Sequence, residues 1–213
     1  MTSKKGLIPN NLSFLLKWAR LFYNFFILKE VKTKKEREIF TNIWYNIWLQ
    51  EGYATPEEPI IEKKKKYEKI SRDFLIKFLF FPIGTIRIIY NQKEIGLPIV
   101  NEFKVQRDIE NEKIVEISLF TIKKYCRFWH ISNLVSMKKI YKILKKENIS
   151  GFLAALDQRL YCFLKEKLQI PLQKIGEEKV YEGSLTYPVY LNLKEGEEFL
   201  KENAYRIYQY FIV

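Results

Sequence analysis

Apolar residues along this chain recur in two rhythms, every three to four positions and every second position, the side-chain periods of helices and of strands. From Leu12 the run LSFLLKWARLFYNF is apolar except for Ser13, Lys17, Arg20 and Asn24, whose spacing leaves one wet stripe on an otherwise covered helix. Lys17 and Arg20 interrupt the run and no small-residue cleavage site follows, so neither a membrane span nor an export signal is expected. The polar residues 1–11, with Pro9, read as a loose tail. Phe25–Val31 has strand composition. Thr33 and Glu36 in TKKE are spaced as a capping box, in which hydroxyl and carboxylate satisfy free amides at a helix start. The helix they open reaches about Gln50, with Ile39, Ile43, Ile47 and the aromatics Phe40, Trp44 and Trp48 on adjoining faces, and Gly52 ends it. A Pro- and charge-rich stretch follows, whose Lys63–Lys66 run reads as a solvated helix face or loop.

Phe74–Phe81 and Ile83–Tyr90 read as two strands joined tightly at Pro82, the second with one interior charge, Arg87. Gly96, Leu97 and Pro98 open a loop to about Lys113. Ile114–Ile122, IVEISLFTI, is then a strand apolar on nearly both faces, as a covered central strand is. Its period of two puts Glu116, Ser118 and Phe120 on one face and Val115, Ile117 and Leu119 on the other. A carboxylate there costs several kcal/mol unless paired or solvated, so Glu116 either has a specific partner or opens onto a cleft.

Beyond it come the basic stretch Lys123, Lys124 and Arg127, a helix over about Ser132–Glu147, and a short strand in SGFLAAL. Asp157 is placed to cap the helix QRLYCFLKEKL. QIPLQKIG and SLTYPVYLNL read as strands flanking a loop with Gly176 and Gly183, and EGEEFLKENAYRIYQY as a last helix. No internal repeat is visible.

Composition narrows the function classes. A chain of 213 residues with 47% hydrophobic content builds a sizeable core, and a net charge of +12 favours an acidic partner: nucleic acid, anionic lipid or acidic protein. Cys126 and Cys162 form no spaced framework, which fits a reducing cytoplasm and argues against a zinc site; a Ser-His-Asp triad would have to be built on His130 alone, and no nucleophile elbow accompanies it. No metal site is expected.

Four motifs in order carry a resemblance: EREIFTNIWYNIWLQEGY; GTIRII followed by GLPI and Glu102-Phe103; VEISLFTI followed by Arg127; and KIGEEKVYEGSLTYPVYLNL. From about Phe25 to Leu193 the chain resembles the long-acyl branch of the GNAT acyltransferase superfamily. That branch comprises N-acyl amino acid synthases, acyl-homoserine-lactone (autoinducer) synthases and exosortase-associated acyltransferases. Leu119 and Trp44 stand where the branch carries arginines, and no acidic residues after Tyr53 match those of the lactone synthases.

The resemblance implies an α/β (α+β) fold, a three-layer α/β/α arrangement around a mixed, mostly antiparallel sheet that splays open beside the central strand. Residues 1–24 would be a tail and amphipathic helix, and residues 25–213 the acyltransferase domain, C-terminal helix included. It implies transfer of a medium or long acyl chain from acyl carrier protein or acyl-coenzyme A to the amine of an amino acid or similar molecule. The acyl-phosphopantetheine would be a co-substrate, with no cofactor bound permanently. Phe120, Thr121 and Ile122 would supply the strand edge for pantetheine, Lys123, Lys124 and Arg127 would meet its phosphate, and Trp44 and Trp48 would line the acyl pocket. Glu116 is the nominated base, Ser118 positions the amine or supports the oxyanion, and Arg87 holds Glu116 or the acceptor's carboxylate. A cytoplasmic protein follows, with peripheral membrane contact through residues 12–28 as an option. Two other classes stay open: an impaired GNAT-like binding protein, and a basic nucleic-acid or membrane-surface binder. No aromatic-basic interleaving of an RNA-binding sheet and no recognition-helix motif supports nucleic acid.

Overall fold

The computed structural model describes residues 10–57, 59–105, 113–127 and 130–213. Most of the expected N-terminal tail and residues 106–112 of the expected loop before the central strand lie outside these. In chain order the elements are α1 (Asn10–Phe22), β1 (Phe26–Glu30), α2 (Lys34–Glu51), α3 (Ile60–Lys65), β2 (Ser71–Phe78), β3 (Phe81–Tyr90), α4 (Pro98–Glu102) and β4 (Ile114–Ile122). There follow α5 (Ile131–Lys146), β5 (Gly151–Asp157), α6 (Gln158–Cys162, continued by a π turn to Lys167), β6 (Gln173–Lys174), β7 (Lys179–Tyr181), β8 (Ser184–Asn192), α7 (Leu193–Asn203) and α8 (Tyr205–Phe211).

Local chemistry sets several of these boundaries. The capping box is present at α2: the Glu36 amide donates to Thr33 Oγ1 and the Thr33 amide to Glu36 Oε2. Lys29 and the backbone amides of Lys32 and Thr33 hold the Glu36 carboxyl down to about 2. At the other end Gly52 takes the left-handed conformation, φ 75°, and closes the helix. Asp157 caps α6 through the Leu160 amide at 3.0 Å, as its position in the sequence predicts.

All strands join one sheet in the order β1-β2-β3-β4-β5-β8-β6, with β7 also on β8. Among the described residues only β4 and β5 run parallel; the other pairs are antiparallel. On one face Phe40, Trp44 and Ile47 of α2 pack with Leu75 and Leu119. On the other, Ile140 and Leu144 of α5 pack with Ile86, Ile88 and Val115. Leu12, Leu16 and Ala19 of α1 share a core with Leu134, Val135, Ile207 and Tyr210, so this helix lies on the protein's own body.

The β2–β3 turn falls at Leu79–Phe80, with Leu79 at φ 54°, rather than at Pro82. Pro82 sits inside β3 beside a register shift at Ile76/Lys77, an irregularity that tolerates its missing N–H. The expected C-terminal helix is two helices, broken at Ala204. The short elements α4 and β7 lie inside stretches that read as loops.

Candidate active site

β4 and β5 pair only where Ile114, Val115 and Glu116 meet Gly151, Phe152 and Leu153. Beyond that the strands part. Ile117–Phe120 and Ala154–Asp157 then line opposite walls of a cavity of about 220 Å³. A bulge re-aims β4 at this point. Arg87 faces Ser118 and Thr85 faces Thr121, so Leu119 and Phe120 together oppose one residue of β3, with Leu119 at φ 49°. The Thr85 hydroxyl steadies it through Leu119 O at 2.9 Å and Thr121 Oγ1 at 2.8 Å. The extra residue overturns one expectation: Leu119 packs with the α2 core, and Phe120 turns to the α5 side, away from the face of Glu116 and Ser118.

Glu116 lines the cavity just where the strands separate. It is 3% exposed, and its Oε2 accepts a hydrogen bond from the Ile99 amide at 2.8 Å. Pro98 begins α4 and has no N–H, so Ile99 carries the first donor of that helix and Glu116 satisfies it. Burial pushes the carboxyl up to about 8, against the opposing pull of the Ile99 amide and Lys64. Ser118 lines the same wall, and its hydroxyl has no partner among the described residues.

Arg87 does not reach Glu116. Its guanidinium is closed by Asp73, Nε to Oδ1 at 2.6 Å and Nη2 to Oδ2 at 2.8 Å, with Nη1 on the Lys64 carbonyl at 2.7 Å. Asp73 is its cross-strand partner on β2 and also meets Arg37. The expected bond to Glu116 or to an acceptor carboxylate gives way to this buried pair, which is off the cavity wall.

The cation that does line the cavity is Lys64. It belongs to the lysine run expected to be solvated, and Lys63, Lys65 and Lys66 are exposed. Lys64 is instead one helical turn from buried Ile60, which rotates it inward. Its Nζ pairs with Glu182 at 2.6 Å and lies over the rings of Trp48 (5.1 Å) and Tyr181 (5.8 Å). Burial and Glu182 raise the Tyr181 phenol well above its usual range. Glu182 stands in the β7–β8 turn, where a Cβ on Gly183 would lie 2.0 Å from the Gly52 carbonyl, so the turn is pressed onto the end of α2. The Glu51-Gly52-Tyr53 turn ties the rest of the rim: Glu51 pairs with Arg127 at 2.8 Å and Arg159 at 3.0 Å, and Tyr53 donates to Asp157 at 3.3 Å. Sequence reasoning missed Lys64, Tyr181, Glu182, Tyr53 and Asp157 as cavity residues.

No family profile and no curated protein matches the chain. Solved structures do. An N-acyl amino acid synthase, FeeM, from uncultured soil microbes superposes with a TM-score of 0.68 at 15% identity, over 83% of this chain and 97% of that one. A nucleotide-linked sugar GNAT, FdhC, gives 0.56 at 15%, over 89% and 96%. A CoA-dependent acyl-homoserine lactone synthase, BjaI, solved with SAM and isopentyl-CoA, gives 0.56 at 13%, over 94% and 85%. The chain has the GNAT fold.

Within this GNAT fold the remaining expected residues separate. Thr121 and Ile122 pair with β3 through their registers at Thr85 and Gly84, and on the opposite side no strand of the described residues pairs with them. Lys123 Nζ donates to Pro82 O at 3.0 Å, and Lys124 is exposed. Arg127 Nε donates to Ile122 O at 2.9 Å while its far end is neutralised by Glu51. Trp48 lines the cavity; Trp44 does not, and braces Trp48 edge-on at 5.2 Å from the α2 core.

Proposed function

We propose that this GNAT-fold chain is an N-acyltransferase that moves a medium or long acyl chain from a phosphopantetheine thioester to the amine of an amino acid or similar small molecule. The observation that carries the reading is Glu116, a carboxyl held near neutrality at the point where a polar rim meets an apolar gallery. The rim holds Lys64, Glu182, Tyr53 and Asp157; the gallery holds Met137, Ile140, Leu144, Phe152, Leu164 and Leu200. An acyl chain suits the gallery, and an amine with a carboxylate suits the rim, where Lys64 takes the place first given to Arg87.

The donor's pantetheine arm lies along the open edge of β4 at Phe120–Ile122, with Lys123 and Lys124 toward its phosphate. Arg127 acts indirectly, fixing the Glu51 turn. Either acyl carrier protein or coenzyme A presents this arm, and the positive charge of the chain favours the acidic carrier. Glu116 takes a proton from the acceptor ammonium, directly or through water. The freed nitrogen attacks the thioester carbonyl carbon; Ser118 and main-chain amides of the bulge support the oxyanion. The C–S bond then breaks, the amide forms as its nitrogen sheds its second proton, and the leaving thiolate takes up that proton. Similarity to an N-acyl amino acid synthase supports acylation of an amine, and the apolar gallery favours a long acyl chain over acetyl. The test is mass spectrometry of products from the chain incubated with long-chain acyl-coenzyme A or acyl carrier protein and a panel of amino acids and other amines. An N-acyl product with one acceptor class supports the reading; no product with any pair of donor and acceptor refutes it.

A further inference from the structure

A surface lies at the corner where α1, β1 and the β2–β3 turn meet, away from the cavity. Phe80 and Phe81 stand side by side at the turn, 84% and 68% exposed, with Leu79, Phe25 and Ile27 also exposed nearby. Phe81 is the cross-strand partner of Phe78 at the turn, and ring contacts run on from Phe78. Phe78 meets Phe25 and Phe22 at 6.3 Å, Phe22 stacks on Trp18 at 5.6 Å, and Trp18 leans on Phe14 at 5.7 Å. Phe14 and Leu21 turn outward on the same face of α1, so an aromatic row runs from the turn along the helix. An adjacent exposed pair of phenylalanines prolonged by such a row is an interaction surface, unlike single scattered apolar residues.

Charge accompanies it. Residues 10–29 and 74–93, the described segments that build the corner, contain no Asp or Glu but include Lys17, Arg20 and Lys77. Lys17 and Arg20 flank the outward face of α1 and share a shallow groove with Ser13, Gln209 and Arg206 of α8. Among the described residues none of Lys17, Arg20 and Arg206 meets a carboxylate; Arg206 donates to the Ser13 hydroxyl. Exposed aromatic rings beside cations that no described carboxylate neutralises match the composition of a lipid interface.

We infer that this corner docks the protein on an anionic lipid bilayer, with Phe80 and Phe81 in the interfacial region and Lys17, Arg20 and Arg206 against the headgroups. No described helix is long and apolar enough to cross a membrane, so the attachment is peripheral. The inference does not depend on the transfer reaction, because it concerns the protein without substrates.

The test is sedimentation of the full chain with vesicles of phosphatidylcholine alone and of phosphatidylcholine containing about one-third phosphatidylglycerol. Binding to the anionic vesicles is expected, weakening with salt. Lys17→Gln with Arg20→Gln lowers the bound-to-free ratio roughly 30-fold, about fivefold for each cation near an anionic surface. Phe80→Ser with Phe81→Ser lowers it by about tenfold or more while leaving the thermal transition in place, since neither ring belongs to the core. Absence of binding to anionic vesicles overturns the inference. So does binding that the Phe80/Phe81 variant leaves unchanged, or a variant that loses capture of acyl carrier protein while keeping vesicle binding, which would make the corner a protein-docking face.

Discussion

Glu116→Gln changes charge while keeping size, and its amide oxygen can still accept from the Ile99 amide that Glu116 meets at 2.8 Å. In the folded protein burial lifts the carboxyl from 4.5 to about 8, whereas the unfolded chain returns it to its ordinary value. Between those two values the folded state keeps a proton that the unfolded state has released. Stability is therefore fully present below about 4.5, is lost as pH rises through the window, and levels off above about 8. A gap of that width corresponds to on the order of 5 kcal/mol at 1.36 kcal/mol per unit. The glutamine variant carries no such proton. Urea unfolding of both proteins, followed by tryptophan fluorescence from about pH 5 to about pH 9, isolates the effect because the other groups cancel in the difference. The variant is expected to gain on the native protein by several kcal/mol across this range. Parallel curves would refute the claim that Glu116 is buried with a raised affinity for its proton.

Three further substitutions separate structural from functional roles. Arg87→Met leaves Asp73 buried without its main partner and is expected to cost about 3–5 kcal/mol in urea unfolding, with turnover per folded molecule near that of the native chain. A large loss of turnover at intact stability would restore Arg87 to the site. Gly183→Ala meets the Gly52 carbonyl and a φ of 75°, so a loss of roughly 2 kcal/mol or more is expected, together with a raised KM for the acceptor as Glu182 shifts. Equal affinity for the acceptor would detach the β7–β8 turn from the site. Met137→Trp fills part of the gallery from a half-buried position and is expected to slow long-chain donors more than short ones; a uniform effect would place the acyl chain elsewhere.

What could be read in advance depended on how locally each feature is encoded. The α2 boundaries were legible because a capping box and a left-handed glycine act within a few residues. Glu116 stood out as the one carboxylate in IVEISLFTI, a pattern that called for a partner or a cleft. The flip of Phe120 was not legible: Leu119 adopts positive φ without being glycine, and a bulge arises from pairing with β3 rather than from any local signature. Arg87 was recognisable as a buried cation, but its partner is a matter of register. The lone carboxylate in RDFLIKF, Asp73, was the available signal, since Asp73 and Arg87 are directly paired across β2 and β3. Lys64 hid among identical neighbours, and only its helical phase with Ile60 distinguishes it. Tyr53, Asp157 and Glu182 come from three distant segments and meet only when the sheet closes around the splay.

The most direct test of the central claim is the rate of free-thiol release from a saturating long-chain acyl donor and acceptor, measured against pH for the native chain and for Glu116→Gln. The account predicts release that depends on the amine, rises through about pH 8 as Glu116 loses its proton, and falls by about 10²–10⁴ in the variant. Release at the native rate in the variant, with the same pH profile, would contradict Glu116 as the base.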